Sequence, residues 1–143
     1  MAYRTIPIYN LDAQVGPNKT NRPDDVRLVQ ALLKLSMKFI PDSGVFETPQ
    51  ATGVFDDKTR IAIVAFQRWM AEVQNVKRDD FLDPMPSTRN GVDFQTVAPN
   101  GHIYTIYYLN VMARKSSPAE HDNLGRALGL VEAAGPPIKL PIK

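Results

Sequence analysis

Apolar residues recur at three- and four-residue spacing along three stretches of this chain, and the breaks between the stretches fall on proline and glycine. The first stretch places Val26, Val29, Leu32, Leu33 and Phe39 on one face, widened by Leu28 and Leu35, with Arg27, Lys34 and Lys38 opposite. Pro23 suits a first helical position, and Asp24 and Asp25 put negative charge where the helix dipole favours it. A helix is therefore predicted from Pro23 to about Phe39, ended by Pro41. The second stretch, Thr59, Ala62, Ile63, Phe66 and Met70, predicts a helix from Asp57 to Gln74 with Asp56 as its N-cap. Its middle, Ile61 to Phe66, is apolar on all sides, so this helix is expected to be central and buried, with Trp69 in the core beside Phe66 and Val73. The third stretch, Ile106, Leu109 and Met112 with Tyr104, Tyr108 and Val111, predicts a helix from about Ile103 to Arg114. Ser117-Pro118-Ala119-Glu120 has the form of a capping box, which predicts a short fourth helix to about Leu128.

The segments between carry the turn formers. Residues 1–22 hold Pro7, Gly16 and Pro17 without sustained periodicity and read as an extended N-terminal arm. Pro41 to Asp56 is a turn-rich loop with an apolar island at Val45 and Phe46, compatible with a short extended pair. Within it, Gly53 can take the positive φ of a tight turn, and Phe55 is placed to drop its ring beneath that turn. Residues 76–101 form a long connection with Asn-Gly turn signals at Asn90-Gly91 and Asn100-Gly101. A connection of this length is either packed down by its own apolar residues or functional. Residues 129–143 form a Pro-rich, basic, extended or frayed tail. The reading is a mainly α protein with one helical domain at 23–128.

Three of these segments carry family-like motifs. Asp25-Val26-Arg27-Leu28-Val29-Gln30-Ala31-Leu32-Leu33 is similar to DVxxLQxxL; Gly53, Phe55, Thr59, Ala62, Ile63, Phe66 and Gln67 follow the spacing of GxFGxxTxxAVxxFQ, with Asp56 where the second glycine is usual; and Gly91, Thr105 and Leu109 loosely match DGxVGxxTxxxL across an insertion at 76–101. On these residues the segment from Asp24 to Leu109 resembles the peptidoglycan-binding-like domain, a three-helix module found beside cell-wall hydrolases. The resemblance implies a small orthogonal three-helix bundle with long irregular loops and a short extra C-terminal helix. It also implies a non-catalytic role, with cell-wall glycan or stem peptide received between the helices and the 45–56 and 76–101 loops. Most of the matched residues have a structural explanation: Gln30 and Gln67 can satisfy loop backbone groups, and Thr59 and Thr105 can brace the turns before their helices.

Composition narrows the chemistry further. Seventeen basic and fifteen acidic residues, well mixed, give no basic stripe for nucleic acid. With no cysteine, a thiolate metal site and a thiol nucleophile are excluded. His102 and His121 lack zinc-site spacing and read as surface side chains, Asp24-Asp25 and Asp56-Asp57 fall at helix starts, and no nucleophile elbow or phosphate loop occurs. An enzyme is not expected, and no cofactor or metal is implied. Tyr104, Tyr107 and Tyr108 cannot all face the core, because neighbouring helical positions point about 100° apart; with Trp69 they are the candidate ligand or partner contacts. No apolar run reaches the roughly 20 residues of a membrane span, and none near Met1 has the form of a secretory signal. A wall-binding role then calls for delivery by lysis, in a virion or by a signal-independent machine. The same features suit a second reading, a protein-interaction or structural adaptor in a phage particle or secretion apparatus, with the proline-bearing arms making contacts.

Overall fold

The first two helices form where the apolar spacing places them. In the computed structural model, which describes residues 3–86, 95–129 and 138–141, α1 spans Pro23–Ser36 and continues as a 3-10 turn at Met37–Phe39, and α2 spans Asp57–Gln74. Asp56 caps α2, its Oδ1 accepting the Thr59 N–H at 2.9 Å and the Thr59 hydroxyl at 2.6 Å. Asn75 ends the helix in the left-handed conformation (φ 58°) and returns its N–H to the Met70 carbonyl. The third helix, α3, spans Thr105–Ser116, two residues later at each end than the spacing suggests. It is followed by α4 (Pro118–Asp122) and α5 (Leu124–Ala127). Among the described residues the protein is mainly helical.

Two local expectations fail for identifiable reasons. Ser117 precedes α4 but makes no side-chain cap, so the capping-box pattern is not realised, and the expected single helix to Leu128 is broken at Asn123. The 41–56 loop holds a 3-10 turn at Ser43–Val45 rather than an extended pair, with Asp42 in the left-handed conformation (φ 58°). Asn90-Gly91 lies outside the described residues.

The largest departure is the N-terminal segment, which is no free arm. Ile8, Tyr9, Leu11 and Val15 are buried with the cores of α1 (Val26, Val29, Leu32, Leu33), α2 (Ala62, Ile63, Phe66, Met70) and α3 (Ile106, Leu109, Ala113). The helical unit therefore begins well before residue 23. The chain can bury this segment because side chains meet its backbone hydrogen-bond needs. Asp25, on the inner face of α1, accepts the N–H groups of Asp12 and Ala13, each at 3.0 Å. Burial raises its pKa, and these two hydrogen bonds oppose the shift. Asp25 thus serves the segment beside α1 rather than the helix dipole.

The same segment fastens the start of the 76–101 connection. Val15 and Leu82 exchange backbone hydrogen bonds at 3.1 and 2.8 Å, and the Asn10 side chain pairs with both the N–H and the carbonyl of Met85 at 2.9 and 2.8 Å. Gly16 permits the approach, since a Cβ there would stand 2.3 Å from Cβ of Phe81. Leu82 and Met85 are consequently buried. At the far ends of the chain, β1 (Tyr3–Ile6) and β2 (Ile138–Pro141) form an antiparallel ribbon, Tyr3 opposite Pro141 and Ile6 opposite Ile138.

The α2 cap makes a pH-dependent contribution to stability. The Thr59 hydroxyl, and behind it the Thr59 N–H, hold the Asp56 carboxyl below its ordinary range. A depressed carboxyl contributes stability above its unfolded pKa and loses it as pH falls through the folded value. Asp56→Ala should cost about 1 kcal/mol at neutral pH. The difference from the parent should close under acid conditions, as read by urea denaturation at both pH values.

Candidate functional site

Two buried glutamines set the loops that border the surface concavities. Gln30 of α1 donates Nε2 to the Val54 carbonyl at 2.9 Å and to Thr59 Oγ1 at 3.0 Å, and its Oε1 accepts the Gly53 N–H at 2.9 Å. Gln67 of α2 repeats the arrangement. Its Nε2 donates to the Phe81 carbonyl at 2.9 Å and Thr105 Oγ1 at 3.0 Å, with a longer contact to Asp79 Oδ1 at 3.2 Å, and its Oε1 accepts Asp80 N–H at 2.8 Å. Each clamp ties one helix to the next loop and to a threonine in the first turn of the following helix. Glutamine and threonine are 29 residues apart in the first clamp and 38 in the second, so the extra length lies in the second loop. Gly53 takes φ +84° under the first clamp, where a Cβ would press on Arg27 Cγ at 3.2 Å.

The larger concavity lies beside the first loop. An open groove of about 460 Å³ runs along α2 from Arg60 to Glu72 and is closed on its other side by Pro41 to Phe46. Its floor is Ile61, Val64 and Ala65, and Trp69 of α2 and Phe46 of the facing loop also line it. The apolar middle of α2 therefore has two faces. Ala62, Ile63 and Phe66 turn into the core, whereas Ile61 is 39% exposed and Val64 and Ala65 are partly exposed. Trp69, expected in the core, is only partly buried. It meets Phe66 edge to face at 5.9 Å, and its expected neighbour Val73 is 54% exposed. Arg60 and Arg68 supply positive charge and Asp42 and Glu72 negative charge around the groove; Arg60 lies 3.6 Å from Asp57.

The tyrosines do not join this groove. Tyr104 borders a separate, small cavity of about 70 Å³ together with Lys77, Asp79, Phe81, His102 and Thr105. The two loops expected to share one groove thus border two concavities, and residues 47–56 do not line the larger one. Tyr107 and Tyr108 meet edge to face at 5.3 Å, and the Tyr108 hydroxyl donates to Gln74 Oε1 at 2.8 Å. All three tyrosines are half-buried, and burial raises the Tyr107 pKa. Of the motif residues, Asp25, Val26, Gln30, Gly53, Thr59, Ala62, Phe66, Gln67, Thr105 and Leu109 are buried, and Phe55 is partly so. Gly91 lies outside the described residues.

Sequence reasoning missed two groups. The groove floor was hidden because Ile61, Val64 and Ala65 read as core, although their offset from Ala62, Ile63 and Phe66 around the helix was a usable signal. His121 was expected at the surface, yet it has no exposed area and lies between Asp122 and Asn110. His102 is partly exposed in its turn, with Nδ1 3.2 Å from the Asn75 carbonyl. Among the described residues no cluster of three His, Cys, Asp or Glu side chains is arranged to hold a metal ion, and no helix is long and apolar enough to cross a membrane. Comparison of the chain with protein-family models, with curated proteins and with solved structures finds no match.

The clamps carry a stability prediction. Gln67→Leu keeps the side chain's bulk but leaves the Asp80 N–H and the Phe81 carbonyl without their partner. It should cost about 3 kcal/mol, seen as a lower urea midpoint at unchanged slope.

Proposed function

We propose that this chain is a non-catalytic peptidoglycan-binding module of the three-helix, peptidoglycan-binding-like type, and that the groove along α2 receives the wall polymer. The observation that carries the reading is the groove itself: an open apolar channel whose lining includes an indole and the arginines Arg60 and Arg68. Aromatic rings present an apolar face against which the C–H face of a sugar can stack, and arginine offers fixed donors to a carboxylate. Peptidoglycan presents both, sugar rings along the strand and carboxylates on its peptides. The mixed charge of the groove, with Asp42 and Glu72 beside the two arginines in its lining, also suits a stem peptide bearing charges of both signs. The motif-bearing residues support the scaffold, since both glutamine clamps fall on motif positions.

Purified sacculi provide the test. Labelled protein should pellet with them, and Arg68→Glu, an exposed change, should lower the affinity about tenfold without moving the melting temperature. Trp69→Ala should lower it further, with folding checked by circular dichroism because Trp69 also packs on Phe66. Protein that stays in the supernatant where a known wall-binding module pellets sinks the proposal.

One observation favours the second reading, a protein-interaction or structural adaptor in a phage particle or secretion machine. Val45, which lines the groove, is 84% exposed, an apolar edge better suited to a protein side chain than to a sugar. Pull-down of a stoichiometric protein partner, lost on Val45→Asp while sacculus binding is absent throughout, would select this reading.

A further inference from the structure

Where the N-terminal segment meets α3 and α4, a polar cluster lies away from the groove. At its centre His121 is fully buried, with Nδ1 2.8 Å from Asp122 Oδ1 and Nε2 2.9 Å from Asn110 Oδ1. A neutral imidazole has one N–H and one lone pair, so the partners of its two nitrogens reveal its protonation. Asn110 can adopt only one orientation. Its Oδ1 accepts the Tyr9 N–H at 2.9 Å, and its Nδ2 donates to the carbonyls of Tyr9 at 2.9 Å and Ile106 at 2.8 Å. Turned over, it would set N–H against N–H and oxygen against oxygen. Oδ1 has no hydrogen to give, so Nε2 of His121 must be the donor.

On the other side, Asp122 faces Nδ1 as a carboxylate. Arg114 holds it through Nε at 3.1 Å and Nη2 at 3.2 Å. Burial pushes the Asp122 carboxyl up, but the hydrogen bonds from Arg114 and His121 outweigh it and hold the group below its usual range. An ionised carboxylate is an acceptor only, so Nδ1 must carry a proton as well.

We infer that His121 is an imidazolium in the folded protein, and that its proton latches the N-terminal segment to α3 through Asn110 and Tyr9. The charged groups around it are few. Asp122 comes from α4 and Arg114 from α3. The N-terminal segment contributes the Tyr9 ring, edge-on at 5.3 Å, whose hydroxyl donates to the Asp122 carbonyl at 3.0 Å and accepts the Gly125 N–H of α5 at 3.2 Å. Burial, the largest influence, pulls His121 below its ordinary value, with Arg114 adding to this and Asp122 pulling it up. Against that direction stands the geometry, in which both ring nitrogens face acceptors and so both carry a proton.

Loss of the proton turns a lone pair onto a lone pair at one nitrogen or the other. Asn110 cannot rotate to relieve this without giving up Tyr9 and Ile106, so the N-terminal segment must loosen. That segment leads directly into β1, which pairs with β2, so the latch bears on both ends of the chain. The sign follows from a folded pKa above the unfolded one. The latch's stability is fully present below the ordinary histidine value of about 6.5 and is lost as pH rises through the folded value.

Long-range ¹H–¹⁵N NMR of the full-length protein tests the latch. His121 should show two ring N–H groups at neutral pH and titrate above the ordinary value. The protection factor of the Tyr9 amide should fall about tenfold on the same midpoint. In Asp122→Asn, with folding verified by the dispersion of the amide spectrum, the His121 midpoint should drop by about one unit or more. A single ring N–H in the parent protein at neutral pH, or a midpoint below the ordinary histidine value, overturns the imidazolium. Tyr9 protection that ignores the titration overturns the latch.

Discussion

Burying a primary amide in a helical core is unfavourable unless its donors and acceptor are all engaged, and two glutamines meet that condition with the backbone of the following loop. Gln30 engages Gly53 and Val54; Gln67 engages Asp79, Asp80 and Phe81. The satisfaction is mutual, because loop N–H and carbonyl groups at the edge of the core would otherwise lack partners. Each clamp therefore fixes two things at once: the path of a loop without regular structure, and the start of the next helix through Thr59 or Thr105. Helix order and loop shape in this protein are consequences of that reciprocal requirement more than of helix propensity.

Once the first clamp fixes the end of the 41–56 loop, α2 is left with more apolar surface than the core can accept. Ala62, Ile63, Phe66 and Met70 complete the interior between α1 and α3, and Ile61, Val64 and Ala65 remain on the other side. The loop's Pro41–Phe46 portion covers this second face incompletely, and Trp69 borders the gap. A groove of this kind is expensive to keep open, since covering apolar surface yields about 25 cal/mol per Å². Its persistence beside a well-packed core is the physical reason for seeking a ligand there rather than at the half-buried tyrosines, which pack against the core and, in Tyr107 and Tyr108, against each other.

The helices were legible because their signals are local: Pro23, the Asp56 cap, the spacing of Val26 to Leu33 and of Thr59 to Met70 lie within a few turns of one another. What was not legible depends on distant partners. Residues 8–15 look like an arm because they lack helical period, yet extended chain needs no period to be buried when Asp25, Asn110 and the 82–85 backbone supply its hydrogen bonds. His121 looks like a surface residue because nothing within four positions marks it as buried. Its partner Asn110 lies 11 residues away, and the backbone that orients Asn110 lies 101 residues away. The groove was half legible: the all-round apolar stretch of α2 was noticed, but an apolar helix surface reads the same whether another element or a ligand is to cover it.

The N-terminal segment changes how the remaining parts depend on one another. It touches α1 through Asp25, α3 through Asn110, and the 76–86 connection through Asn10 and Val15, so three regions share one extended strip of chain. Every one of these joints is a side chain hydrogen-bonding backbone, or backbone hydrogen-bonding backbone, in a buried or partly buried setting, where breaking one partner strands the other. Asp25 and the His121–Asp122 pair are the joints that carry ionisable groups, and they meet the segment at different points, near Asp12 and near Tyr9. A change of protonation at either joint therefore acts on the same strip. Because that strip holds down Leu82 and Met85, its loosening would reach the connection that Gln67 clamps from below, and through Gln67 the helix that floors the groove.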